Sequence, residues 1–379
     1  MKRTKILIEN DHIEGGGVEL LLYYLAVFLL EKGYDVTIRT VEDGLTDFQK
    51  KYPKKIKYFS PGYDWKDPRF LTLGWWKQKL SWELYSYQMR TLDKYPFDVA
   101  VAFKEDHSMR DIAKCNAKRK FAWVHSDHRY DHWTSYRYKT SEEERSWMEK
   151  FEKVVCVSKA AADSVREVIG DPGNLCVRYN PVDYRDVLNK SEETCEQVRP
   201  ESKPLFVTVG RLTQQKNYLC LVDVCKELQD KYDFEVWIIG DGPQREELEE
   251  RIAANELRCV KLLGKKENPY PYIKQADWFI STAEWESYGI AMQEALILGI
   301  PVLSAYCAVV DEVLDPKFSR VVPNTPADIQ KGMEELLQNP QWSREYHDRI
   351  LQKFDKEALW EGRMQAICDL WEKPFSEEG

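Results

Sequence analysis

Apolar positions in this chain fall into two alternating kinds of run. Short, nearly continuous ones at 5–9, 34–39, 97–103, 120–124 and 153–158 read as buried strands. Between the first two, residues 18–32 place Leu21, Leu22, Leu25, Phe28 and Leu29 at helical spacing, and Gly33 stops that helix. The same alternation restarts in the second half. Strands are predicted at 205–209, 234–239, 260–263, 278–281 and 302–304. Helices are predicted at 218–231, 244–255, 269–276, 290–298, 328–338, 343–354 and 358–371. Repeated strand-then-helix units imply parallel sheets covered by helices, so the expected class is α/β. Residues 184–203 are charged and without clear period, which reads as a linker between two Rossmann-like domains at 1–183 and 204–356, with a last helical segment at 357–379.

Composition narrows the function. At 379 residues there is enough chain for two cores, and a net charge of −9 argues against nucleic acid as a partner. The nine cysteines are scattered with no Cys-x-x-Cys pair, the usage of reduced, buried thiols and of a cytoplasmic protein. No signal peptide is expected after Met1-Lys2-Arg3-Thr4-Lys5. The apolar run 18–30 is too short to span a bilayer and is broken by Glu19. The lysine-rich stretch 50–79, interleaved with Tyr52, Tyr58, Phe59, Tyr63, Trp65, Trp75 and Trp76, has two readings: a peripheral contact with lipid headgroups, or solvated lysines on an aromatic-rich subdomain.

Candidate chemistry gathers at predicted strand ends, where open parallel sheets bind ligands. After the strand ending at Gly210 come Arg211 and Lys216, just before a helix. Two fixed cations beside a helix N-terminus form a diphosphate site, or else are surface charges on a loop. Glu286 and Glu294 bracket the turn Ser287-Tyr288-Gly289, with Ile290 opening a helix. Backbone amides there suit a phosphate or sugar hydroxyls, and a carboxylate in that helix suits a ribose diol. The plain alternative is a set of solvated acids. Gly15-Gly16-Gly17 precedes the first helix but fits neither Gly-x-Gly-x-x-Gly nor a P-loop. The segment His125-Ser126-Asp127-His128-Arg129-Tyr130-Asp131-His132 holds three of the six histidines. His128 and His132 are expected to be exposed and no metal site is assigned, while His125 could meet a sugar. Asp-x-Asp occurs nowhere, which fits cations rather than a divalent metal neutralising a diphosphate.

In series, Gly210-Arg211-Leu212…Lys216-Asn217, Gly240-Asp241-Gly242-Pro243, Leu263-Gly264…Asn268-Pro269-Tyr270 and Glu286-Ser287-Tyr288-Gly289…Glu294…Gly299-Ile300-Pro301-Val302 resemble glycosyltransferase family 4. Gly15-Gly16-Gly17-Val18-Glu19, Trp123-Val124-His125, Val157-Ser158-Lys159 and Asn180-Pro181-Val182-Asp183 extend the resemblance to nearly the whole chain. It implies the GT-B fold, two Rossmann-like domains facing across a cleft, with the acceptor on the N-terminal side and the last helix crossing back. It also implies retaining, metal-independent transfer of a hexose from a UDP- or GDP-linked donor, with no cofactor.

The implied roles are as follows. Arg211 and Lys216 hold the diphosphate, Glu286 the donor sugar, and Glu294 the ribose. Gly210 and the backbone of Ser287, Tyr288, Gly289 and Ile290 meet phosphate and sugar, and Lys265 and Asn268 lie on the loop that holds the base. His125 lies near the reacting sugar, and Gly16 and Gly17 line the junction with the acceptor. The sequence departs from the family in Tyr306-Cys307-Ala308-Val309-Val310, which lacks a glycine, and in Phe318-Ser319-Arg320-Val321-Val322-Pro323, which lacks an Asn-Gly turn. The implied setting is bacterial surface polysaccharide or glycolipid assembly, with a glycan acceptor that is either free or lipid-linked. A sugar-nucleotide epimerase and a non-catalytic sugar-nucleotide-binding protein remain the alternatives.

Overall fold

A computed structural model describes residues 3–11, 16–40, 49–60, 83, 86–87, 89–105, 107–200 and 202–373. Gly15 and most of the lysine- and aromatic-rich stretch, residues 61–79, lie outside the described residues. The chain divides into two compact units. Unit 1 comprises residues 1–181 and 362–379, and unit 2 comprises 182–361.

Unit 1 is built on seven strands: β1 (Lys5–Asn10), β2 (Asp35–Thr40), β3 (Lys57–Phe59), β4 (Phe97–Ala102), β5 (Ala117–Val124), β6 (Lys153–Cys156) and β7 (Leu175–Val177). All pairings are parallel, in the order β3-β2-β1-β4-β5-β6-β7. Ile6, Leu7 and Ile8 are fully buried, as expected of a strand covered on both faces. Glu9 interrupts that apolar run and sits opposite Arg39 in the β1–β2 register. The two form a buried ion pair, with Arg39 only 2% exposed, and Arg39 also reaches Asp93 Oδ1 at 2.6 Å. Removing Glu9 leaves the buried Arg39 with Asp93 as its remaining carboxylate partner and no water to replace the lost one. Glu9→Ala is therefore expected to cost about 3–5 kcal/mol in a denaturant titration. The paired replacement Glu9→Leu with Arg39→Met should cost less than the single change.

Unit 2 holds β8 (Leu205–Val209), β9 (Glu235–Ile239), β10 (Val260–Gly264), β11 (Trp278–Ser281), β12 (Val302–Ala305) and β13 (Ser319–Val322). They are parallel, in the order β10-β9-β8-β11-β12-β13. Phe206, Val236, Ile238, Trp278 and Leu303 pack with Leu221, Val222 and Met333 from the covering helices into one apolar core. Both units thus repeat the doubly wound order, and both are α/β.

The stretch 184–203 is not the irregular linker expected from its charge. Tyr184–Ser191 is a helix within unit 2, capped by the Asp183 side chain, which accepts from Arg185 N at 3.0 Å. It buries Val187 and packs against the helices Tyr270–Ile273 and Ile290–Ile297. The final helix runs Lys356–Glu372. Its later part is tied within unit 1, where Arg178 Nε donates to Ala366 O at 2.8 Å and Tyr34 Oη donates to Glu372.

Candidate functional site

In unit 2 the strand order reverses between β8 and β11, which are direct neighbours. A doubly wound sheet opens a crevice at such a point, outside the strand carboxyl ends. The loop after β8 carries Gly210, Arg211 and Lys216, and the loop after β11 leads to Glu286 and the Ser287-Tyr288-Gly289 turn. The two loops are sewn together. Glu284 N donates to Gln215 O at 2.9 Å, Gln215 Nε2 to Trp285 O at 3.0 Å, and Thr282 Oγ1 to Lys216 O at 2.9 Å.

The loop after β9 closes on the first. Leu212 N donates to Asp241 O and Gln244 N to Leu212 O, both at 3.0 Å. A Cβ on Gly240, which sits at φ +152°, would fall 1.9 Å from Gly210 O, and one on Gly242 would fall 2.5 Å from Leu212 O. These two glycines are demanded by the close approach of two backbones.

Lys216 ends a 3-10 turn, Gln214–Lys216, and its ammonium pairs with the Glu286 carboxylate. The side chains are 19% and 12% exposed, so the pair is sheltered but reachable. Arg211 is exposed on the same loop. Cys307, on the loop after β12, lies beside Glu286, and burial pushes its thiol up to about 12. The segment 306–310, which departs from the family pattern, therefore borders the charged pair. There Val310 N closes a turn on Cys307 O at 2.9 Å.

Gly289, at φ +76°, caps the helix Ile290–Ile297. The first amides of any helix lack intrahelical acceptors, so this end favours an anion. Glu294 is one turn further in and only 8% exposed. Burial raises its carboxyl to about 7, against the Tyr270 hydroxyl, which donates to Oε1 at 2.8 Å, and the charge of Lys190. Tyr270 and Lys190 were not singled out as partners of this carboxyl from the sequence. The Asn268-Pro269-Tyr270 motif was the available signal for Tyr270. Lys265 is exposed on the loop after β10. The Asn268 amide is used internally: Nδ2 donates to Lys190 O at 2.8 Å and Glu193 Oε2 at 2.9 Å, and Oδ1 accepts from Tyr270 N at 3.1 Å. Its side chain thus orients Tyr270, and through it Glu294.

The remaining predicted residues belong to unit 1. Gly16 and Gly17 are exposed at the start of the helix Gly17–Glu31, which follows β1. A Cβ on Gly16 would fall 2.6 Å from Glu19 Oε2. His125 follows β5. Its Nε2 lies 2.9 Å from Phe103 O. A carbonyl only accepts, so Nε2 carries the proton, and Nδ1, buried and with no hydrogen-bond partner, keeps its lone pair. Burial lowers the basicity of this ring, so it is neutral near pH 7. Its backbone N donates to Glu105 Oε1 at 2.5 Å.

His128 is not the exposed loop histidine expected. It is 2% exposed, because its turn packs on the helix Lys159–Val168, where His128 N donates to Ser164 Oγ at 3.0 Å. His132 is partly buried and meets Glu144 Oε2 at 2.8 Å.

The chain is similar to known proteins over both units. Residues 15–186 match the family model described as Glycosyltransferase Family 4, and residues 189–353 match Glycosyl transferases group 1. A 2-deoxystreptamine N-acetyl-D-glucosaminyltransferase of Niallia circulans is 34% identical over 40% of this chain and 41% of its own. The lipopolysaccharide core biosynthesis glycosyltransferase LpsD of Rhizobium meliloti is 27% identical over 40% of this chain and 43% of its own. The first three curated relatives are matched over only 38%, 41% and 60% of their lengths. Among solved structures, Anabaena Alr3699/HepE in complex with UDP and glucose superposes with a TM-score of 0.73 at 16% identity, covering 97% of this chain and all of that one. A sucrose-phosphate synthase from Thermosynechococcus elongatus gives 0.73 at 16% identity, over 97% of this chain and 98% of its own. These likenesses give the fold as GT-B.

Proposed function

We propose a reaction for this chain, which belongs to glycosyltransferase family 4: transfer of a hexose from a UDP-linked donor to a glycan hydroxyl, with retention at the anomeric carbon. The observation that carries the reading is the Lys216–Glu286 pair at the β8/β11 reversal, beside Arg211 and the amide end of the Ile290–Ile297 helix. Unit 2 binds the nucleotide sugar. Arg211, Lys216 and the backbone of Gly210, Ser287, Gly289 and Ile290 receive the diphosphate, Glu286 and Tyr288 flank the sugar, and Glu294 accepts the ribose hydroxyls. The loop with Lys265 borders the base, and Asn268 acts through Tyr270. In unit 1, His125, with Gly16 and Gly17, is the candidate group for a sugar hydroxyl.

In the reaction the bond from the anomeric carbon to the diphosphate oxygen breaks, and the acceptor oxygen bonds to that carbon from the same face. The acceptor proton passes to the departing phosphate oxygen. The catalytic demand is charge stabilisation on the leaving group, which fixed cations supply without reorganising. No divalent metal is required for that step, since Lys216 and Arg211 do its work. Hence transfer is expected to persist in excess chelator. Strict dependence on added magnesium or manganese would overturn this point.

The relative in lipopolysaccharide core biosynthesis supports a surface-glycan acceptor on a lipid carrier. Nine free thiols support a reducing, cytoplasmic setting, with any membrane contact peripheral. Among the described residues no helix is long and apolar enough to cross a membrane. The deciding experiment incubates the protein with UDP-glucose, UDP-galactose and UDP-N-acetylglucosamine, with and without a panel of glycolipid acceptors. An elongated, α-linked product sustains the reading. Epimerised or free sugar without any acceptor would assign an epimerase. Calorimetric binding with no turnover across the panel would assign a binding protein.

A further inference from the structure

We infer that unit 1 carries a transition-metal site of the zinc class, made by His128, His132 and Glu144. One donor atom from each of the three lies within 4.8 Å of the others. His128 points two ring nitrogens into the interior, and neither has a hydrogen-bond partner, at 2% exposure. Buried polar atoms of native proteins are nearly always satisfied, so the lone-pair nitrogen of this ring calls for a ligand, the other nitrogen keeping its proton.

The local fold explains how the donors converge. Tyr130 N and Asp131 N both donate to Asp127 O, at 3.1 and 3.0 Å, closing a turn that brings His128 and His132 to ring centroids 5.1 Å apart. Of the neighbouring carboxylates, Asp127 is occupied by Arg129 through a 2.9 Å and a 2.6 Å bond, and Glu105 Oε1 accepts from His125 N and Ser126 N. Glu144 comes from the helix Ser141–Met148, and its Oε1 is held by the Thr134 hydroxyl at 2.6 Å. That bond orients the carboxylate and leaves Oε2 for an ion, as outer-shell partners of metal ligands do. Two imidazoles and one carboxylate suit zinc, with a water completing a tetrahedron. Tetrahedral zinc at the usual bond lengths sets its donors about 3.3 Å apart, so the present arrangement needs only small side-chain rotations. The ion would take the place of the proton shared by His132 and Glu144, tying the loop after β5 to a helix of the same unit. All three ligands belong to unit 1, whereas Arg211 and Lys216 belong to unit 2.

The test uses the full chain after dialysis against chelator. Zinc is expected to bind with one equivalent per chain by calorimetry and to raise the melting temperature. Cobalt(II) should develop the visible d–d bands of a four-coordinate site. Glu144→Gln and His132→Asn should each weaken zinc binding by more than about 100-fold, beyond the range of outer-shell changes. His347→Ala should leave binding unchanged. Zinc binding of equal strength in Glu144→Gln, or neither a melting shift nor a four-coordinate cobalt spectrum in the wild type, would overturn the proposal. Transfer in chelator, assayed well below the melting temperature of the metal-free protein, is a separate readout and should persist.

Discussion

Lys216→Ala is expected to lower kcat for sugar transfer by about 100- to 1,000-fold, the loss typical of one transition-state charge contact. The ammonium stands on a turn whose carbonyl is held by Thr282, and whose side chain is held by Glu286, so it is positioned before any ligand arrives. Such a group costs no reorganisation when negative charge builds on the leaving phosphate. Its removal also leaves Glu286 without its partner in a sheltered position, and that carboxylate would then repel the diphosphate. Glu286→Gln separates the two effects, because it keeps the cation and removes the repulsion. The double variant Lys216→Ala/Glu286→Gln should therefore bind nucleotide sugar better than Lys216→Ala alone while remaining slow. Lys216→Arg retains the charge but not the shape, and should fall between wild type and Lys216→Ala. Steady-state kinetics at saturating donor, with melting temperatures to confirm folding, checks the series. Turnover near wild type in Lys216→Ala would remove this residue from the leaving-group site.

The central strands were legible because a parallel strand covered on both faces reads as a continuous apolar run. Ile6-Leu7-Ile8 and Phe206-Val207 are of that kind. The strands that escaped are the edges: β3 and β7 close the seven-stranded sheet and β13 the six-stranded one. Each is short and only partly buried, and polar residues such as Lys57 and Arg320 break the apolar signal. The helix Tyr184–Ser191 escaped because its buried side is narrow, Val187 and Ser191. What holds it is the Asp183 cap and its packing on two other helices.

The charged residues of the proposed donor site were visible because chain order alone put Arg211, Lys216, Glu286 and Glu294 after strand ends. Their neighbours were not. Cys307 reaches Glu286, and Tyr270 reaches Glu294, only through crossovers that bring distant strand ends together. The environment of His128 was misread for a related reason. Asp127, Arg129 and Asp131 make its segment look solvated, yet Asp127 and Arg129 satisfy one another and the turn is pressed onto a helix.

Glu294 is expected to make nucleotide-sugar binding depend on pH. Burial holds its proton up to about 7, whereas the unfolded chain releases it near the ordinary 4.5. The native state therefore binds more protons across that interval, so this carboxyl's contribution to stability is greatest below 4.5 and is lost as pH rises through 7. The span corresponds to ~3 kcal/mol at most. Glu294→Gln removes this dependence, and its stability relative to wild type should improve steadily from pH 5 to pH 8. Binding runs the other way. A carboxylate can accept both ribose hydroxyls only when ionised, so acid must first be overcome. Affinity for UDP-glucose, whose diphosphate does not titrate here, should weaken about tenfold between pH 8 and pH 6. In Glu294→Gln it should be weaker at pH 8 and flat with pH. Calorimetry of the two proteins across this range decides the matter. Parallel pH profiles for wild type and Glu294→Gln would mean that the carboxyl braces Tyr270 rather than meeting ribose. The ribose contact would then have to come from another residue of unit 2.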